Sequence, residues 1–281
     1  MSTGYHSGKE DRIHRTTSED GTEIAGRVVG QGPPVVLLPA GPGTSEISWR
    51  HVVSTLQKRC TCYLMNTRNR GLSGESSDLS PKRLVEDVLA FVESIGQPVG
   101  LVGWGSNLWS SVAAEKSSAL SGAAVYEPIA IEKQSEEIAA GFQDVVARVG
   151  QLTAQGQLVE GARTFVETAG ELGVYADEDL EGAAFDFWED AASDLPVFLQ
   201  ENQQSGESDM PSPTDPSVLA KISLPVLLMH GSRTGRWHVD SVQHVAEHLR
   251  EPRIREIRGA GHFGPYTQAK AVADEIAGFF E

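Results

Sequence analysis

The feature that most limits the fold of this chain is alternation, because short apolar runs keep trading places with amphipathic segments. PPVVLLPA (from Pro33), CTCYLMN (from Cys60), PVGLVGW (from Pro98), LSGAAVYEP (from Leu120), LPVLLMHG (from Leu224) and RIREIRGAG (from Arg253) read as strands. Between them SWRHVVSTLQKR, PKRLVEDVLAFVESIG, NLWSSVAAEKS and VDSVQHVAEHL read as helices, and a last helix runs from Gln268 to Phe280. An unbroken Val/Leu run has no polar face to turn to water, so helices must cover such strands on both sides. The pattern predicts an α/β fold with a mostly parallel, doubly wound sheet. Ahead of it, IHRTT and TEIAGRVVG read as a hairpin turning at Asp20-Gly21.

The alternation breaks between Tyr126-Glu127-Pro128 and Leu224-Pro225. EEIAAGFQDVVARVGQL, LVEGARTFVETAGEL and GAAFDFWEDAASDLPVFLQ carry apolar residues at helical spacing, and a linker-like run from Ser205 to Pro213 closes the segment. We divide the chain into a core, residues 1–130 and 215–281, and a helical insertion, residues 131–214. Doubly wound sheets bind ligands at the C-terminal ends of their strands, and an insertion at this point is placed to cap them.

The net charge of −16 argues against nucleic acid or an anionic membrane as partner. Most of the excess lies in the insertion: from Ile131 to Met210 there are 18 acidic residues against three basic ones, Lys133, Arg148 and Arg163. This reads first as a solvated helical face and second as a negative rim favouring cationic substrates. No apolar run approaches the ~20 residues of a membrane span, and MSTGYHSGKEDR is not a signal peptide, so the expected location is cytoplasmic. Cys60 and Cys62, two apart on one strand, read as reduced core residues. The sequence sets no oligomeric state.

Four landmarks in order resemble the α/β-hydrolase superfamily with a helical cap. LLPAGPG (from Leu37) is similar to the strand and H-G-x-P loop, with Pro39-Ala40 in place of His-Gly. NTRNRGLSG (from Asn66) looks like D-x-R-G-x-G-x-S, with Asn66 for Asp and Asn69 for Gly. GWGSN (from Gly103) occupies the strand-turn-helix elbow, and GAGHFGPYT (from Gly259) matches the loop bearing the catalytic histidine, here His262. Carried over residue by residue, the resemblance puts the nucleophile position on Gly105 and the usual acid position on Thr234. Both depart from the pattern. A one-residue shift to Ser106 would flank the strained apex with bulky Trp104 and Leu108, whereas Gly105 is flanked by Gly103 and Asn107. Ser106 instead suits the first helical residue, its N–H forming an oxyanion hole with that of Gly41.

In some superfamily members the acid follows the strand before the cap, which here points to Glu127 as partner of His262. Thr234 is the uncharged alternative. Arg68 and Arg233, on loops at the strand ends, are candidates for holding a carboxylate or phenolate. Trp104, Trp49, Trp188 and Phe263 are candidates for an apolar pocket. His51, His244 and His248 fall on helices, His238 on a loop, and no histidine spacing points to a metal; no cofactor is implied. Losing a nucleophile removes on the order of 10⁶ in turnover. The leading expectation is therefore an enzyme that performs non-covalent acid–base chemistry on an apolar or aromatic small molecule. Cyclisation, elimination, isomerisation or lyase-type steps all fit, as in natural-product tailoring. The alternatives are hydrolysis of an ester, lactone or C–C bond through Ser106 or a His-activated water, and a ligand-binding protein without catalysis.

Overall fold

The computed structural model describes residues 12–105 and 108–281. Its strands are β1 (Arg12–Thr17), β2 (Glu23–Gly30), β3 (Pro34–Leu37), β4 (Thr61–Met65), β5 (Val99–Trp104), β6 (Leu120–Tyr126), β7 (Val226–Gly231) and β8 (Pro252–Ile257). They form one sheet in the order β1-β2-β4-β3-β5-β6-β7-β8. The β1–β2 hairpin and the β2–β4 pair are antiparallel; every pairing from β4 through β8 is parallel. The sheet is the mostly parallel, doubly wound one that the alternation predicts.

The helices α1 (Ser45–Leu56), α2 (Pro81–Ser94) and α3 (Leu108–Glu115) precede the insertion. The insertion contributes α4 (Glu136–Ala154), α5 (Leu158–Glu171), α6 (Asp177–Leu180), α7 (Ala183–Asp190) and α8 (Leu195–Gly206). After it come α9 (Pro216–Leu219), α10 (Arg236–His248), α11 (Gly264–Thr267) and α12 (Ala269–Phe280). Successive strand residues feed opposite faces, as a period of two requires. Val102 and Trp104 of β5, Ala124 and Tyr126 of β6, and Leu227 and Met229 of β7 join one buried cluster with Trp49 and Val52 of α1 and Ile276 of α12. Leu101, Val125 and Leu228 join the other, with Phe91 of α2, Val112 of α3 and Val245 of α10.

Two segments differ from the sequence pattern. GAAFDFWEDAASDLPVFLQ is two helices, because Pro196 falls in the first turn of α8, where its missing N–H is tolerated, and so cannot continue α7. The helix expected from Val239 starts at Arg236, with Gly235 as its cap, which moves His238 from a loop into the first helical turn. Cys60 and Cys62 are free and buried, and burial raises both thiols, so neither acts as a thiolate near neutral pH. The insertion is tied down by ion pairs from Arg70 to Glu201 (2.7 Å) and from Arg50 to Asp190 (2.6 Å).

Candidate active site

At the end of β5 the chain turns at Gly105, whose φ is +62°. Glycine enters this left-handed region without the Cβ penalty. Its N–H donates to the Tyr126 carbonyl at 3.0 Å, which fixes the turn against β6. A Cβ at residue 105 would lie 3.7 Å from Cε1 and 3.8 Å from Nε2 of His262, ordinary contact distances. The apex of the turn therefore faces the imidazole. Ser106, the other backbone donor expected from the sequence, and Asn107 lie outside the described residues. Gly41 lines the cavity above the turn.

His262 lies between β8 and α11, and its Nδ1 is 2.8 Å from Glu127 Oε2. Glu127 follows β6 and is wholly buried. Its Oε1 accepts the Gly231 N–H at 2.8 Å, and its Oε2 also accepts the Thr234 hydroxyl at 3.0 Å. Each of these groups is a donor, so the environment favours a carboxylate accepting from an Nδ1–H. The free lone pair of His262 is then on Nε2, the atom nearer to Gly105. Thr234 thus serves the acid and does not bond the imidazole. Glu127 is also at φ +46°, unusual for a side-chain-bearing residue and costing of order 1–3 kcal/mol. Strain of that kind is retained where geometry matters.

Burial pushes the Glu127 carboxyl up, against the pull of His238, the Gly231 N–H and the Thr234 hydroxyl. Burial pushes His262 down to about 4, opposed by the Asp179 carboxylate. The imidazole is a neutral base at neutral pH.

Two contributors were hidden in the sequence. Asp179 of α6 is wholly buried and accepts the backbone N–H groups of His262 (2.8 Å) and Phe263 (3.0 Å). A Cβ at Gly261 would come within 2.3 Å of Asp179 Oδ2, so glycine there is what lets the insertion grip this loop. His238 stacks on His262 with centroids 4.3 Å apart and planes 10° apart, and Tyr175 lies parallel to the same ring at 5.6 Å and 9°. Trp237 extends the column behind His238 at 5.3 Å. The ring plane of His262 is fixed by this stack. Burial pushes His238 down to about 3, and its Nδ1 lies 3.7 Å from Glu127 Oε2. The Val174 carbonyl is also nearby, yet neither ring nitrogen closes a hydrogen bond of normal geometry. The signal for His238 was its place near the Thr234 loop, visible only once the helix start is known.

Glu127, His238 and His262 bring donor atoms within 4.8 Å of one another, a set of the type that binds transition metals. Their geometry does not fit one ion well. The two rings are nearly parallel and stacked, so their in-plane lone pairs run side by side rather than converge.

In front of His262 lies a cavity of about 630 Å³ between sheet and insertion. Trp104, Trp237 and Phe263 line it from the core; Phe165, Tyr175, Phe187 and Trp188 line it from the insertion. The Trp104 indole N–H donates to the His262 carbonyl at 3.0 Å. Trp49 does not line it: its indole N–H bonds the Leu38 carbonyl at 2.7 Å in the core.

Arg68 corrects the sequence reading. It is wholly buried away from the cavity, in a two-pronged ion pair with Asp87 of α2 (2.7 Å on each arm) and bonded to Asp20 of the hairpin turn at 2.8 Å. With its donors consumed by two carboxylates, it has no place for a substrate. Arg68→Met is expected to cost about 3–5 kcal/mol in denaturant unfolding, because it strands the buried Asp87 charge. Arg233 pairs with Glu178 on the surface.

A model of the alpha/beta hydrolase family matches residues 35–275. No sequence among the curated proteins matches the chain. Among solved structures, an alpha/beta hydrolase from Sphaerobacter thermophilus superposes with a TM-score of 0.74 at 23% identity, over 95% of this chain and 100% of that one. An esterase from Rhodococcus gives 0.73 at 20% identity, over 95% and 98%. A haloalkane dehalogenase variant from Bradyrhizobium elkanii gives 0.67 at 18% identity, over 96% of each. This chain belongs to the alpha/beta hydrolase family. At these identities the structural likeness speaks for the fold alone. Among the described residues no helix is long and apolar enough to cross a membrane.

Proposed function

We propose that this protein is an enzyme in which His262 moves a proton on a small apolar or aromatic molecule without a covalent enzyme intermediate. One observation carries the reading: the Glu127–His262 hydrogen bond is complete, while the residue facing the imidazole from the turn apex has no side chain. A substrate C–H or O–H can then approach Nε2 directly. In the C–H case that bond breaks, an N–H bond forms on Nε2, and the electron pair moves onto the adjacent carbonyl as an enolate. The Glu127 carboxylate stabilises the imidazolium from Nδ1, and the tight stack keeps Nε2 aimed. Gly41, with Ser106, is our candidate for the enolate-holding backbone donors. The proton returns elsewhere on the molecule in an isomerisation or cyclisation. In an elimination the enolate expels a β leaving group, which departs with its electron pair. In a carbon–carbon cleavage Nε2 takes an O–H proton, the alkoxide becomes a carbonyl as the C–C bond breaks, and the enolate carbon takes the proton back from Nε2.

A second reading has the same base orient a water, and the open space at Gly105 beside Nε2 favours it. Three measurements separate the readings. We expect the wild type to speed deuterium incorporation from D₂O at C1 of 2-tetralone, and to remain unlabelled by a fluorophosphonate probe. Labelling at Ser106 overturns the proposal in favour of covalent hydrolysis. Aryl-ester hydrolysis with neither wash-in nor labelling favours activated water, and silence in all three assays favours a binding protein.

A further inference from the structure

We infer that the ligand of this cavity is a neutral polycyclic aromatic bearing a phenol or enol hydroxyl, and that its charge is created only after it has bound. This rests in part on the reading of His262 as a base, whereas the neutrality of the ligand follows from the cavity itself. Among the described residues that line it there is no Lys, Arg, Asp or Glu. The two carboxylates nearest its floor are already committed: Glu127 to His262, Gly231 and Thr234, and Asp179 to backbone N–H groups. A ligand arriving as a carboxylate or phosphate would lose its hydration with no cation in reach, and one arriving as an ammonium would find no free carboxylate. Burying an unpaired charge is costly, so both are selected against.

The more exposed part of the lining is uncharged too: Ile131, 67% exposed, with Gln134, Gln143 and Asn202. A volume of about 630 Å³ is of drug size, and walls of stacked aromatic rings suit a flat, rigid ring system. At the floor, a neutral His262 with its Nδ1–H given to Glu127 offers a lone pair on Nε2, which asks for a donor rather than an acceptor. A hydroxyl is such a donor. When it ionises, the O–H bond breaks, the N–H bond forms on Nε2, and the electron pair stays on oxygen beside the new imidazolium. The anion thus gains its counter-ion in the same step.

The test uses three probes of one ring skeleton: 9-phenanthrol, phenanthrene-9-carboxylate and N-methylphenanthridinium, titrated against intrinsic tryptophan fluorescence at neutral pH. We expect saturable quenching by the phenol, and roughly tenfold or weaker binding of each ion, the cost of desolvating a charge without a partner. Equal or tighter binding of the carboxylate or of the cation overturns the inference, as does the absence of saturable quenching by the phenol. Dodecanol, a flexible alcohol, should bind more weakly than 9-phenanthrol; if it binds as well, the aromatic class is wrong. In His262→Gln the phenol should lose its advantage over 9-methoxyphenanthrene. Retention of that advantage removes the base from the argument while leaving the neutral aromatic ligand in place, so the two readings fail separately.

Discussion

His262→Ala is expected to lower the rate of deuterium wash-in by on the order of 10²–10⁴, the range over which a positioned general base contributes. The loss belongs to the chemical step, so binding of a neutral aromatic without a hydroxyl, such as 9-methoxyphenanthrene, should change little. Glu127→Gln should act in the same direction through the imidazole: it removes the negative charge that stabilises imidazolium at 2.8 Å. The pH dependence has a defined sign. The active form of His262 is the unprotonated one, and burial lowers its pKa from 6.5 to about 4. Between those values a solvated histidine would already be protonated and inactive, whereas this one remains a base. The rate should therefore hold level from neutral pH down to about 5 and fall only as pH approaches 4. A fall centred at 6.5 would mean that water reaches the ring freely, against its burial in the stack.

What could be read from the sequence was whatever depends on periodicity and on local turn chemistry. The strands announced themselves because Val/Leu runs bury both faces, and Asp20-Gly21 and Gly105 are turns whose backbone demands glycine. Glu127 was legible because the family resemblance allows an acid after the strand before the cap, and a carboxylate directly after a buried strand usually has a partner. Its partners were less so. That Thr234 bonds Glu127 rather than His262 depends on which oxygen the loop after β7 reaches, a matter of a few ångströms. Arg68 looked like a ligand-holding group because its loop belongs to the right end of the sheet, yet two acids distant in sequence, Asp20 and Asp87, close around it. Asp179 and His238 were hidden for a related reason. One sits in an acidic stretch with nothing to mark it, and the other depended on a helix boundary misplaced by three residues.

Gly105→Ser alone is expected to create measurable esterase activity, roughly 10²–10³ above the wild type on a p-nitrophenyl ester, with fluorophosphonate labelling at that residue. By the family pattern alone, restoring a triad would take two changes, Gly105→Ser with Thr234→Asp, because both of those positions depart from it. The structure changes that requirement, since Glu127 already makes the contact an acid would make. A side chain at residue 105 is accommodated, its Cβ 3.8 Å from Nε2, and an Oγ one bond further on comes into hydrogen-bond range of the base. The left-handed backbone at φ +62° costs of order 1–3 kcal/mol in stability, which the surrounding sheet can hold. The gain stays well short of the ~10⁶ that a nucleophile is worth in a fully built site, because this cavity has not been shaped around an ester. Thr234→Asp should make matters worse. It removes the hydroxyl that donates to Glu127 and sets a second, half-buried carboxylate against the wholly buried first, a repulsion that favours a proton on one of the two. The order of activities, single above double and double near wild type, is the decisive readout, and His262→Ala added to the single should abolish the gain. A double variant that outperforms the single would mean that Glu127 does not orient His262, and would return the acid to the loop after β7.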